Sequence, residues 1–157
     1  MKLVFQGPYC FSNRESSVFE QRLQLVPCIY LWTIRQRNSS DHLIHYIGET
    51  NQLGLRHREH LINILGLNYG IFDPEKAKGG VADLIWPGLW RDRSSEGPIN
   101  TLANYQRLNE TVMEYLLVIE IFFAELDVEK EMRRHIEGCI GWNLRSKRRL
   151  PHLKDSC

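Results

Sequence analysis

The sequence predicts an α/β fold in which a small three-stranded antiparallel sheet is flanked by helices. Two β-prone runs, Cys28 to Ile34 and Leu43 to Gly48, are separated only by a polar turn, which is the pattern of a hairpin. A helix-like segment follows from about Leu53 to Leu65. Much later, the strongly apolar run Met113 to Leu126 is rich in Val, Ile, Phe and Tyr and predicts the third strand. Its Leu-rich first half is also compatible with a helix.

The chain is predicted to form one main domain preceded by an extension. Residues 1–26 are expected to form an extended segment and a short helix, from Val18 to about Leu25. Residues 27–157 form the domain, and Pro27 suits the first position of a strand because its missing N–H is not yet needed there. Within the domain, residues of about 68–112 are predicted as an irregular insertion before the third strand.

Two tryptophans, Trp86 and Trp90, lie in this insertion among glycines and prolines. Such residues either pin a long loop to the domain or stay exposed, where they stack on nucleic-acid bases. A short helix is expected from Ile99 to Glu110. After the third strand, Asp127 is predicted to cap a helix from Val128 to about Arg145, with a buried stripe at every fourth residue. The stripe consists of Val128, Met132, Ile136 and Ile140.

Composition is that of a globular protein, with 43% hydrophobic and 25% charged residues in 157. No apolar run approaches the ~20 residues that a membrane helix needs, and no secretory signal is visible, so a cytoplasmic location without membrane contact is expected. The four cysteines are scattered without a C-x-x-C pair, which argues against a cysteine zinc site or a disulfide framework.

Positive charge is concentrated near the end of the chain, although the net charge is only +1. One interpretation is a surface that follows a phosphate backbone. The other is the solvated C-terminal end of a helix, where cations are favoured. The residues are Arg133, Arg134, Arg145, Lys147, Arg148, Arg149 and Lys154, opposed only by Glu137.

Local structure can gather four reactive side chains at one place. With Asn38 at the hairpin tip, Tyr30 lies across from Tyr46, and their even separation keeps both rings on one face of the sheet. Arg56 and His60 are one helical turn apart. On the helix they lie roughly opposite the predicted apolar stripe and are expected outside the core. That stripe consists of Leu55, Leu61, Ile62 and Leu65.

These residues resemble a known signature. Cys28-Ile29-Tyr30, then Tyr46-Ile47-Gly48, then Arg56 and His60 four residues apart, resemble the GIY-YIG endonuclease superfamily in order and spacing. Cys28 departs from the glycine usual at that position. The resemblance implies a metal-dependent endonuclease in which Tyr30 is the general base, Arg56 stabilises the transition state, His60 orients Tyr30 or relays its proton, and Tyr46 hydrogen-bonds within the site.

The resemblance also implies a metal ligand on the late helix. In Arg133 to Ile140, Glu137 matches the family's glutamate and would hold Mg²⁺, or Mn²⁺, together with a substrate phosphate. Glu131 is the rival, because it lies twelve residues before Asn143. The implied substrate is nucleic acid, double-stranded DNA first, cut to 5′-phosphate and 3′-hydroxyl ends. Cutting both strands in one encounter would require a homodimer.

Two alternatives stand beside this hypothesis. The pairs His42/His45 and His57/His60 have H-x-x-H spacing, which invites zinc. If His42 and His45 lie on a strand, however, they are three residues apart and point to opposite faces, so only one could join a shared site. Alternatively, the domain binds nucleic acid or a protein without cutting it.

Overall fold

The computed structural model describes residues 2–147, with side chains as far as residue 144, and its fold is α/β. A four-stranded antiparallel sheet and a small two-stranded sheet combine with four α-helices and one short 3₁₀ helix, Gln21–Leu23. In chain order the strands and α-helices are β1 (Gln6–Tyr9), β2 (Cys28–Arg35), β3 (His42–Thr50), α1 (Leu53–Leu65), β4 (Ile71–Phe72), α2 (Pro74–Lys78), β5 (Leu84–Trp86), α3 (Glu96–Val118), β6 (Ile119–Glu125) and α4 (Lys130–Lys147).

The main sheet has the order β1-β6-β2-β3, so the prediction of three strands was one strand short. The missed strand is β1, which pairs with β6 through Gln6 opposite Phe123 and Tyr9 opposite Ile121. Its residues are mostly exposed and carry no apolar run, so only the long-range pairing makes this segment a strand.

Strand β2 lies inside the sheet, between β6 and β3. Its first seven residues are all buried, as expected for a strand covered on both faces. The hairpin with β3 forms as predicted, but its register differs: Tyr30 lies opposite Gly48, and Trp32 lies opposite Tyr46. A bulge between Trp32 and Thr33 accounts for one residue of this two-residue offset, and the pairs nearer the turn, such as Arg35 with His42, already carry the other. The two tyrosines still share one face.

Helix α1 spans the predicted residues, yet it buries a different face. Its buried residues are Leu53, Gly54, His57, His60 and Ile64. The expected apolar stripe was wrong, since Leu55, Ile62 and Leu65 are exposed. His60 was expected outside the core and is instead only 1% exposed. Aromatic rings of β2 pack against this helix face, Tyr30 on His57 at 4.7 Å and Trp32 on His60 at 4.8 Å.

The insertion is ordered. Its first part is a small sheet of β4 and β5 joined through α2, which Asp73 caps by accepting hydrogen bonds from the backbone N–H groups of Glu75 and Lys76. Its second part belongs to α3, one 23-residue helix that replaces the short helix predicted from Ile99 to Glu110. The apolar run from Met113 is therefore divided, helix to Val118 and strand from Ile119.

Helix α4 begins at Lys130, two residues after the predicted start, and lies against β3 and β2. Met132 is 53% exposed, so the predicted stripe was wrong at this residue. Arg133 takes the inward position instead. Within residues 2–147, no helix has the length and hydrophobicity required to cross a membrane.

Candidate functional site

Tyr30 is held at the centre of the site by the sheet. Its side chain is fully buried, and its phenol lies across the face of Gly48 on the neighbouring strand. A Cβ at residue 48 would meet the Tyr30 hydroxyl and lie 2.5 Å from Cζ. Glycine is therefore required at this position by the close approach of the phenol.

Three of the predicted residues are in direct contact around this phenol. The Tyr30 hydroxyl lies 2.7 Å from His60 Nε2, and the Tyr30 and Tyr46 rings are 5.9 Å apart. The ring of Tyr46 is also 5.6 Å from that of His60. Tyr46 is half-buried, whereas Tyr30 and His60 have almost no solvent contact. Tyr46 is therefore the phenol nearer to solvent.

Burial sets the protonation of these groups. It raises the pKa of Tyr30 well above 10.0, with Tyr46 adding to the rise and Arg56 opposing it. Burial also lowers the pKa of His60 to about 2, helped by His57 and Arg56. At neutral pH the site thus contains a neutral phenol hydrogen-bonded to a neutral imidazole.

His57 supports the site from one turn earlier and has a defined tautomer. The indole N–H of Trp32 can only donate, so His57 Nε2 accepts its hydrogen bond at 3.0 Å. Nδ1 therefore carries the proton and donates to the carbonyl oxygen of Leu53 at 2.8 Å. Burial lowers the pKa of His57 to about 4. Both ring nitrogens are occupied, so His57 cannot contribute to the zinc site considered from the sequence.

Arg56 provides positive charge beside the phenols. Its side chain is 39% exposed and donates to Glu59 Oε2 at 2.8 Å. Although burial lowers the pKa of Arg56, the hydrogen bond to Glu59 and the nearby Tyr30 phenol raise it above its usual range. The guanidinium therefore links the buried phenol to the open side of the site.

Glu137 approaches from α4. Burial raises the pKa of this half-buried carboxyl, and the Glu49 carboxylate raises it further, while Arg134 and Arg56 lower it. Glu137 thus lies within electrostatic range of Arg56 and beside a second carboxylate. Glu131 is exposed in the first turn of α4, and six residues of helix rotate it by about 120° away from Glu137.

Arg133 is not available as a surface contact for nucleic acid. Only 4% of its side chain is exposed, and Nε lies 3.3 Å from Glu49 Oε2. The guanidinium also donates to the carbonyl oxygen of Val128. Arg134 is 63% exposed and contacts the other oxygen of Glu49 at 3.5 Å. The structure does not describe the other predicted cationic contacts. The side chains of Arg145 and Lys147, and the whole of Arg148, Arg149 and Lys154, lie outside the described part of the chain.

Sequence reasoning missed Glu49, His57 and Tyr69 as neighbours of the site. The Tyr69 ring is 5.6 Å from that of His60, and its pKa is raised by burial, while Arg56 opposes the rise. Glu49 directly follows the Tyr-Ile-Gly triplet, and its position was the available signal. Tyr69 comes from the insertion, and no spacing pattern pointed to it.

Comparison with known proteins adds no identification. No protein-family model matches the chain, and neither curated proteins nor solved structures gave a significant match. Among residues 2–147, no group of three or more His, Cys, Asp and Glu side chains could hold a metal ion.

Proposed function

We propose that this protein is a GIY-YIG-type endonuclease that hydrolyses phosphodiester bonds in DNA. The observation that carries the proposal is the convergence of Tyr46 and His60 on the Tyr30 phenol through ring and hydrogen-bond contacts. Arg56 lies within electrostatic range of that phenol, and Glu137 lies within electrostatic range of Arg56. A half-exposed guanidinium beside hydroxyl donors suits an anionic phosphate.

The residues around Glu137 fit a divalent cation. A carboxyl whose pKa is raised by a carboxylate neighbour gains from a nearby positive ion. Magnesium is commonly held by one or two carboxylates together with substrate phosphate oxygens and water, so Glu137 would be its carboxylate ligand, because the two oxygens of Glu49 already face Arg133 and Arg134. When bound, Mg²⁺ or Mn²⁺ supplies charge to the phosphate and polarises water.

The protein's own groups divide the remaining work. Arg56 donates to the phosphate oxygens as negative charge develops in the transition state. His60 fixes the Tyr30 hydroxyl, Tyr30 packs against Tyr46, and Glu59 holds the Arg56 guanidinium. In this arrangement Arg56 touches the substrate, while His60 is a positioning residue.

The general base is better assigned to Tyr46 than to Tyr30. Tyr30 has no solvent exposure, and burial raises its pKa, so it neither reaches the attacking water nor ionises readily. Tyr46 is half-buried and in ring contact with both Tyr30 and His60. The role expected for Tyr30 from the sequence thus moves to its neighbour on β3.

Nicking of supercoiled plasmid tests the function. The wild type is expected to nick in Mg²⁺ or Mn²⁺ and to stop in EDTA. Arg56→Ala and Glu137→Gln should each lower the rate at least ~100-fold, the scale of losing one transition-state contact. Glu131→Gln, on the same helix but a different face, is the matched control and should cleave as the wild type does.

Two outcomes contradict the proposal. Cleavage that survives both Arg56→Ala and Glu137→Gln would remove the assigned site. Mg²⁺-independent binding of DNA, with no cleavage of supercoiled, branched or single-stranded substrates, would indicate a binding module without catalysis.

A further inference from the structure

The two tryptophans of the insertion differ in burial and in their contacts. Trp86 is 7% exposed, and its indole N–H donates to the Leu67 carbonyl oxygen at 2.9 Å, so it pins the insertion to the domain. Trp90 is 57% exposed and meets the Tyr69 ring in a T-shaped arrangement, at a ring spacing of 5.2 Å and an angle of 82°. Pinning therefore explains Trp86 and leaves Trp90 without a core role.

The backbone holds Trp90 in a fixed position. The N–H groups of Leu89 and Trp90 donate to the carbonyl oxygens of Leu67 and Asn68, at 3.0 and 3.3 Å. Gly88 has φ of +87°, and a Cβ there would lie 2.6 Å from the Tyr69 carbonyl carbon. Two tightly apposed segments thus present the indole, and little conformational entropy remains to be lost when a ligand packs against it.

An aromatic path joins Trp90 to the candidate site. The His60 ring is 5.6 Å from Tyr69, and Tyr69 is 5.2 Å from Trp90, so the indole lies within about 11 Å of the residue that holds the Tyr30 hydroxyl. Arg91 and Arg93 are exposed in the following turn, while the carboxylate of Asp92 accepts hydrogen bonds from Ser94. The exposed indole is therefore followed in the chain by two exposed cations and contacts the Tyr69 ring that packs on His60.

We propose that Trp90 is a stacking platform for an unpaired base next to the scissile phosphate. This inference rests on the proposed nuclease function and specifies its substrate class: DNA with a single-stranded or locally unpaired segment at the cut. Aromatic stacking of a base is tolerant of sequence, because every base has a π face. A base inside an intact duplex is already stacked and does not offer that face.

DNA binding tests the platform through a double-mutant cycle in which both Trp90 and single bases of the DNA are removed. The measurements are made in Ca²⁺, which is chosen to limit cleavage. Fluorescence anisotropy would compare labelled single strands with matched duplexes, each with or without an abasic residue at successive positions. Trp90→Ala should weaken single-strand binding roughly 10-fold, and Trp90→Phe should restore most of it. Trp142→Ala is the matched control, because Trp142 is 73% exposed on α4 and should leave affinity unchanged.

The cycle separates direct stacking from indirect effects. In the wild type, one abasic position should cost about as much affinity as Trp90→Ala, and in the Trp90→Ala variant that penalty should disappear. Equal abasic penalties in both proteins would overturn the platform, as would unchanged single-strand affinity of Trp90→Ala. If either result is obtained while the wild type still nicks DNA in Mg²⁺, only the stacking platform is refuted and the nuclease proposal is retained. If the wild type neither binds nor nicks DNA, both proposals are refuted.

Discussion

The reactive part of this molecule depends on a few side chains whose environment differs sharply from one residue to the next. Tyr30 and His60 are sealed in the core, while Tyr46 and Arg56 retain access to solvent. The two phenols thus differ in their access to solvent, and burial is the first cause of the raised pKa of Tyr30. The sequence predicted that these four residues would meet. It did not reveal which phenol is buried, because that depends on packing against α1.

Removing each phenol hydroxyl separately distinguishes their roles. Tyr46→Phe is expected to lower the nicking rate by ~100-fold or more, because the proposed base is lost. Tyr30→Phe should cost less in rate but should destabilise the fold by about 1 kcal/mol or more, since a buried hydrogen bond to His60 is removed. Rates from plasmid nicking and unfolding free energies from urea titration give the comparison. A larger rate loss for Tyr30→Phe would return the base role to Tyr30.

Gly48→Ala should damage both stability and activity. The added Cβ would meet the Tyr30 hydroxyl, and the buried ring has no free space into which it can withdraw. Overpacking of this kind typically costs about 1–3 kcal/mol. Gly138→Ala is the natural control, because a Cβ at residue 138 would have no neighbour within 4 Å and alanine favours helix, so a gain of about 0.5–1 kcal/mol is expected. Equal stability of the two variants in urea titration would contradict this explanation.

At the level of elements, the link between β3 and α4 is electrostatic as well as apolar. Glu49 receives Arg133 and Arg134 from one side, and its charge also acts on Glu137. The helix was predicted from its apolar spacing, which located the element but assigned Met132 rather than Arg133 to the interior. A buried arginine is rarely predictable from periodicity, because its position is set by the carboxylate that neutralises it.

Breaking this pair should be costly. Glu49→Ala leaves the Arg133 guanidinium buried without its carboxylate, and a loss of about 3 kcal/mol in unfolding free energy is expected. Combining Glu49→Leu with Arg133→Met should recover most of that loss. Glu59→Ala removes an exposed ion pair and serves as the comparison, with a cost of at most about 1 kcal/mol. Similar losses for Glu49→Ala and Glu59→Ala would show that the buried pair is not a structural link.

For the whole molecule, local patterns predicted the hairpin, α1 and the general position of β6 and α4. They failed where the partner is distant or the element very short. β1 gains its hydrogen bonds from β6, more than a hundred residues later, and β4 has only two residues. The length of α3 was missed because a strong apolar run is equally compatible with helix and strand until the sheet limits it.

Buried histidines should make the whole fold sensitive to acid. Burial lowers the pKa values of His45 and His57 from 6.5 to about 4, so the unfolded chain binds protons that the folded chain does not. The free energy of unfolding should therefore keep its full value above pH 6.5 and decrease as the pH falls toward 4, by up to roughly 3 kcal/mol per histidine.

Urea titrations at several pH values measure this dependence. His45→Gln should reduce the slope of unfolding free energy between pH 6 and pH 4.5 by about 1.4 kcal/mol per pH unit, the value for one proton. His135→Gln, at an exposed residue of α4, is the comparison variant. A slope in the His45→Gln variant that equals that of the wild type would contradict the assignment.

The bulge in the hairpin indicates how the pairing between β2 and β3 could be made regular. Trp32 pairs with Tyr46 and Thr33 with Ile44, so His45 has no partner across β2 although its side chain is buried. A chain shortened by this single residue would keep every other cross-strand pair and would run as an uninterrupted ribbon. The space that the His45 ring now fills, beside Phe72 at 5.7 Å, Tyr115 at 5.8 Å and Trp32 at 6.2 Å, would be left to refill.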